Sequence, residues 1–493
     1  MDEALSWRLQ SFPLSLMVAR TGEPTTVHPP LYFGLLHFWT AAFGDGEFAL
    51  RSLSATAGIL AVFGVYRLVS ELFALAGDES ARGEFAGLLT ALLLAVSSFQ
   101  IQQARQARGY SLALLLFCVS SICLLRAIRL PEQAGRWWMG YALSALACCY
   151  THNLALFTVA AQGLFTLLLP FCARNEGRPG GPVKETITGE APEQARRSRR
   201  LSVAALLAVA LGYSPWVPKL WAQSETLRTS WTKVRTVGDR AREVFTALLS
   251  TTEHQLPASD AAAWGAVAVV AGALAFTAVR RRRIGLFVVL TGLLPVLLVI
   301  GYSCFSIRNI FQARYLAFAQ PAWLIALACV AAAFRDHIER LAVAALLVLW
   351  SVQAVHSVGQ FSPPTEPAGM ALVRDFILNH CAADETVVAQ TPFEFFKLRH
   401  LLRNGPVPRL AAPTRDRRAL RGAALLLDEE LMTPADILQS SAAGLWLVTS
   451  ESYQASSEIA VPLPTEWHRI EQRDFEQEYY WERPVRVTHF RRK

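Results

Sequence analysis

A chain of 493 residues is long enough for two or three soluble domains, but 53% hydrophobic residues against 17% charged, with a mean hydropathy of +0.30, exclude an ordinary soluble protein. The formal net charge of +8 is concentrated in short arginine runs, Arg196, Arg197, Arg199 and Arg200, then Arg280 to Arg283. Wedged between apolar stretches, these runs read as the cytoplasmic marks of a membrane topology and not as a nucleic-acid surface. Most of the eight cysteines lie in or beside apolar runs, with no metal-type spacing or disulfide framework.

In chain order, an acidic pair, Asp2 and Glu3, stands at the amino terminus. A His28-Pro29-Pro30 turn follows and leads into an aromatic segment with Tyr32, Phe33, His37, Phe38 and Trp39. The prolines set a rigid start for a helix, and the rings read as interfacial anchors. Glu47 and Arg51 are four apart and can pair on one helical face. About ten apolar stretches then predict membrane spans, near 48–73, 85–100, 109–129, 137–151, 153–172, 201–222, 261–279, 285–303, 315–334 and 341–358. The fold class expected is a polytopic α-helical membrane protein.

Residues 173–200 are rich in Arg, Gly, Pro and Glu and predict a flexible cytoplasmic linker. With Arg280 to Arg283 inside, alternation also places the loop Arg335 to Arg340 inside. The amino terminus, residues 223–260 and everything after 358 then fall outside. An external Asp2 with no span ahead of it predicts a missing upstream helix, the alternative being insertion amino end first. After the FSPPTEP boundary, residues 359–493 alternate helical and strand-like patterns (ALVRDFILNHC, ETVVAQ, EFFKLRHLL, GLWLVTS, then EYYWERPVRVTHF) and predict an extracytoplasmic α/β or α+β domain. The division expected is therefore a first external loop over 1–47, a transmembrane domain over 48–358 and a soluble domain over 359–493.

Several motifs stand in order: Asp2-Glu3, HPPLYFGLLHFW with FGDGEFALRSLS, QARGYSL (Gln106 to Leu112), YTHNLALF (Tyr150 to Phe157), SPWVP (Ser214 to Pro218) and ARYLAFAQP (Ala313 to Pro321). Together they resemble the GT-C membrane glycosyltransferases of family 39, the branch of the protein O-mannosyltransferases and the lipid A aminoarabinose transferases. Relatives have a helix ahead of the acidic pair, and this sequence departs from them there.

The resemblance implies a sugar donor on a polyprenyl phosphate and an acceptor protein, lipid or glycan outside the membrane, with inversion at the transferred carbon. Such chemistry needs a base, for which Asp2 is the candidate, with Glu3 positioning acceptor, water or a cation. It also needs cations for the departing phosphate. Arg108 is the first candidate, with Tyr110 beside it and Arg105 secondary, and Arg314 with Tyr315 forms a second pair. Headgroup anchoring is the plainer reading of these arginines. His28, Tyr32 and His152 are expected in the substrate groove. His28, His152 and Glu23 form a candidate divalent-metal set, the plainer reading being hydrogen-bonded interfacial histidines. Alternatives for the whole chain are a flippase or transporter of lipid-linked sugars and a lipid-binding relative without turnover.

Overall fold

The computed structural model describes residues 2–26, 28–78, 80–174, 192–226, 260–305, 313–359, 369–420, 422–450, 467–476 and 484–492. The chain divides into two compact units: His28–Gln360, and a second unit in which Met1–Val27 joins Phe361–Lys493. This division cuts through the stretch 1–47 that the sequence presents as one loop. The physical reason lies in the amino-terminal helices α1 (Asp2–Ser11) and α2 (Leu14–Thr21), whose strong contacts are with the carboxy-terminal residues. Arg8, buried, donates to Glu430 at 2.5 Å and to the Leu425 carbonyl at 3.1 Å. Arg417 donates to both Glu23 oxygens at 3.0 and 3.1 Å, and the Trp7 and His400 rings meet edge-on at 5.1 Å.

The helical unit begins with α3 (Leu31–Phe43), started by Pro30, and continues through α4 (Glu47–Leu75) and the bent pair α5 (Ala81–Ala95) and α6 (Ser98–Ala104). Next come α7 (Tyr110–Arg129), α8 (Ala134–Thr151), α9 (Ala155–Arg174), α10 (Pro192–Tyr213) and α11 (Val217–Thr226). After them stand α12 (Asp260–Arg280), α13 (Arg282–Phe305), a 3-10 segment over Ala313–Ala319, α14 (Gln320–Ala333) and α15 (His337–Gly359). Helices thus occupy all ten apolar stretches. Six helices among the described residues are long and apolar enough to cross a membrane, or seven if α5 and α6, bent by 60°, form one broken span. The protein is an integral membrane protein. The expected linker 173–200 is helical at its carboxy-terminal end, because the arginine run belongs to α10; 175–191 lie outside the described residues.

Small residues let α4 and α7 run close together. A Cβ added at Gly64 would stand 3.0 Å from the Cys118 Cβ, and one at Gly58 would stand 3.1 Å from the Ala104 Cβ of α6. Near its far end α4 carries buried Glu71, which receives Arg126 at 2.7 Å and Arg129 at 2.6 Å from the end of α7. Beyond it Asp78 pairs with Arg281 at 2.7 Å, and Arg283 donates to the Leu75 carbonyl at 2.9 Å. The arginine run at the α12–α13 corner therefore gathers at this end of the bundle.

In the second unit, α16 (Met370–His380), α17 (Pro392–Leu401) and α18 (Pro434–Leu438) accompany a six-stranded sheet in the order β3-β2-β1-β4-β6-β5. The strands are β1 (Glu385–Ala389), β2 (Arg409–Ala411), β3 (Leu431–Met432), β4 (Gly444–Ser450), β5 (Trp467–Phe475) and β6 (Val485–Arg492). The first four are parallel, with Val388 opposite Arg409 and Val387 opposite Trp446, while β6 and β5 add antiparallel pairs. The strands expected at ETVVAQ and GLWLVTS are β1 and β4, both buried on most positions as central parallel strands require. Glu385 anchors the centre: it accepts from Trp446 Nε1 at 2.7 Å, the Ala382 N–H at 3.0 Å and Arg491 at 3.2 Å, and contacts His489 Nε2 at 2.9 Å.

Candidate functional site

Within the helical unit, three separated stretches converge on one small cavity. It is lined by His28, Tyr32, Phe33, Arg108, Gly109, Tyr110, Thr151 and His152. The helix ends explain the convergence. Pro29 and Pro30 deliver His28 and Tyr32 at the start of α3, Arg108 and Gly109 sit just before α7, and Thr151 and His152 close α8. Gly109 is where these ends touch: a Cβ there would lie 3.0 Å from Thr151 Cγ2 and 3.3 Å from Tyr32 Cβ.

A short hydrogen-bond chain ties the lining to α4. The Ser54 hydroxyl donates to the Arg108 carbonyl at 2.9 Å, so its only proton is committed, and the Tyr32 phenol at 2.8 Å must donate to Ser54. Arg108 is itself buried, and α7 begins at the next residue but one with no acidic residue in its first turn. The amide groups of that turn point positive charge toward the helix start, the side on which Arg108 stands. None of the described lining residues is acidic. A buried guanidinium at a helix amino end suits an anion with several oxygens, phosphate above all.

The 3-10 segment adds a wall. Tyr315 stands 5.5 Å from the His152 ring and 6.3 Å from Tyr110, while Phe318 lies 6.1 Å from His152. The Arg314 guanidinium lies over the Tyr315 ring at 5.7 Å. His152, in the turn between α8 and α9, accepts the Leu154 N–H on Nδ1 at 3.3 Å. Burial, with the Arg314 charge adding to it, pushes this imidazole down to about 4.

The structure thus gathers His28, Tyr32, Arg108, Tyr110 and His152 in one lining, with Tyr315 packed on two of its rings. Arg105 does not join them; it caps α6 and is exposed. Asp2 and Glu3 open α1, in the unit that contains the carboxy-terminal sheet. Glu23 is engaged by Arg20 at 3.1 Å and by Arg417, and no group of three His, Cys, Asp or Glu among the described residues could hold a metal ion. His152 suits a metal poorly on chemical grounds too, since its acceptor nitrogen is already occupied.

One aromatic expectation changes as well. Tyr32 and Phe33 are buried core residues and not interfacial anchors, whereas Phe38 is exposed. Trp216 is buried against Tyr150, its ring 6.0 Å away, with Lys219 over it. Glu47 and Arg51 do pair, at 3.7 Å. Gly109, Thr151 and Ser54 went unnoticed as site residues, though each sits inside a quoted motif. A glycine beside a candidate phosphate-binding arginine was the available signal.

Residues 27–175, which contain the whole cavity lining, match the family model described as dolichyl-phosphate-mannose-protein mannosyltransferase. Among solved structures, ArnT from Cupriavidus metallidurans in the apo state superposes with a TM-score of 0.56 at 13% identity, covering 99% of this chain and 93% of that one. The fold is ArnT-like. The same ArnT bound to undecaprenyl phosphate gives a TM-score of 0.53 at 14% identity over the same shares of the two chains. No curated protein sequence matches.

Proposed function

We propose that this chain is a membrane glycosyltransferase that moves a sugar from a polyprenyl-phosphate donor to an acceptor on the extracytoplasmic side, with the cavity around Arg108 as the seat of the donor phosphate. The observation that carries the proposal is the placement of buried Arg108 at the start of α7, in one lining with Tyr110, His28 and His152. The ArnT-like fold and the undecaprenyl phosphate bound by that relative support the donor class. Sidedness is supported by the arginines around Glu71 and Asp78, which mark the far end of the same bundle as cytoplasmic. With a bacterial origin, the membrane concerned is the cytoplasmic one.

In the transfer, the acceptor oxygen bonds to the anomeric carbon as the bond from that carbon to the phosphate oxygen breaks. The acceptor proton passes to a carboxylate, proposed to be Asp2 with Glu3 assisting, and the electron pair leaves on the polyprenyl phosphate. Arg108 stabilises the charge that grows on the leaving oxygens. A single displacement inverts the anomeric configuration.

The test uses the purified full-length protein in liposomes containing prenyl-linked sugars drawn from a cell envelope, with mass spectrometry following new glycosidic bonds. Comparison of envelope glycans with and without the protein then names sugar and acceptor. Loss of transfer in Asp2→Asn and Arg108→Ala supports the reading. Movement of labelled lipid across the bilayer with no bond formed would replace it with a flippase.

A further inference from the structure

We infer that His152 binds the donor phosphate as a neutral hydrogen-bond donor, through Nε2–H, and acts neither as a base nor as a metal ligand. The inference deepens the reading above and rests on it. It follows from how the turn holds the ring. The Leu154 N–H can only donate, so Nδ1 at 3.3 Å must accept, and the single proton of the neutral imidazole is left on Nε2.

The ring cannot easily turn to exchange the two nitrogens. Tyr110, Tyr315 and Phe318 stand around it at 5.7, 5.5 and 6.1 Å, and only 6% of the residue is exposed. A second proton is disfavoured by the surroundings. Among the described residues the cationic groups beside the ring are Arg108 in the shared lining and Arg314 on the neighbouring 3-10 segment. The other titratable neighbours are the phenols Tyr110, Tyr315 and Tyr32, and His28 across the cavity. With Nδ1 occupied and Nε2 protonated, neither nitrogen offers a lone pair to a metal or to an acceptor proton. What remains is a rigid, uncharged donor beside Arg108. It complements a phosphate oxygen without adding a charge that would hold the product.

Two substitutions separate the nitrogens. In His152→Gln the side-chain amide N–H falls near the position of Nε2; in His152→Asn the shorter amide can replace only Nδ1. Binding of undecaprenyl phosphate to the full-length protein in detergent is measured for wild type, both variants and Arg108→Ala, alongside thermal unfolding. Affinity within about threefold of wild type for Gln, and a loss of roughly 10- to 100-fold for Asn at unchanged melting, is the expected result. A Gln variant as weak as Asn, or an Asn variant as tight as wild type, overturns the inference.

Nitrogen-15 NMR of the wild-type imidazole gives a check independent of folding in the variants. A neutral ring protonated on Nε2 between pH 6 and 8 is expected, and a proton on Nδ1 or on both nitrogens contradicts it. If wild type fails to bind the lipid phosphate, the functional reading falls together with the inference. If wild type binds, Arg108→Ala abolishes binding and the His152 variants follow the wrong order, only the inference falls.

Discussion

The two ends of α4 and α7 solve opposite electrostatic problems with similar residues. From Ser54 to Glu71 the helix climbs roughly 25 Å, close to the thickness of a hydrocarbon core. At the Glu71 end, Arg67, Arg126 and Arg129 surround one buried carboxylate at 3.6, 2.7 and 2.6 Å, and Asp78 holds Arg281. At the Ser54 end, Arg108 is buried beside a helix amino terminus, and histidines, tyrosines and Thr151 fill the lining. One end is an internal ion-pair network that fastens two helices. The other sets a guanidinium in the wall of a cavity at the start of a helix, a placement suited to an anion. Burial of an arginine is therefore not by itself a sign of function; the chemistry of its neighbours decides.

The sharpest way to break this contrast is at the cavity. Arg108→Ala is expected to reduce undecaprenyl phosphate affinity and sugar transfer by roughly 100-fold while leaving thermal unfolding nearly unchanged, because its fork is the principal cation of the lining. Arg108→Lys should recover part of the affinity, since charge remains but the planar fork is lost. A melting loss with intact binding would show that Arg108 is structural.

Glu71→Ala should do the converse. Removing the shared acceptor leaves three arginines facing one another, at a cost on the order of 3 kcal/mol in stability, moderated because the arginines are partly exposed. Lipid-phosphate affinity measured below the melting temperature should stay within twofold of wild type. An affinity loss as large as that of Arg108→Ala would erase the distinction between the ends.

Acid provides a gentler probe. His152 has its imidazole lowered to about 4 from an ordinary value near 6.5, so the unfolded chain takes up a proton that the folded one refuses. The stabilisation is complete above about pH 6.5 and declines as pH falls toward 4, by on the order of 3 kcal/mol. Wild-type melting should fall over that window more steeply than melting of His152→Gln. Parallel curves would mean that the buried ring does not titrate as described.

The smallest effect is expected at Gly109→Ala. The added methyl would press on Thr151 and Tyr32, so the three helix ends must part by a few tenths of an ångström. Stability should fall by about 1 kcal/mol, with a several-fold weaker lipid-phosphate affinity. Unchanged affinity would show that the cavity tolerates a looser junction.

Much of this arrangement was legible in the sequence because membrane helices declare themselves by length and apolarity, and because turn motifs lie beside them. HPPLYF, QARGY, YTH and ARY each mark a helix end, and the structure packs the first three together with Tyr315 of the fourth against them. The part that escaped is non-local. The bond between Arg8 and Glu430 joins residues separated by nearly the whole chain, and no periodicity announces it. For that reason residues 1–47 read as one external loop, although α1 and α2 fall in the unit that contains the sheet. Glu23 misled in the same way, since its partner Arg417 lies far along the chain. Arg105 and Arg108 are alike in sequence, and only the bend into α7 decides which one is buried.

The most direct test of the central claim is an experimental structure of the full-length protein with undecaprenyl phosphate bound. The phosphate oxygens should lie about 2.7–3.2 Å from the Arg108 guanidinium and from His152 Nε2, at the start of α7. A phosphate seated at the Glu71 end, or at any place where Arg108 and His152 do not reach it, would contradict the account.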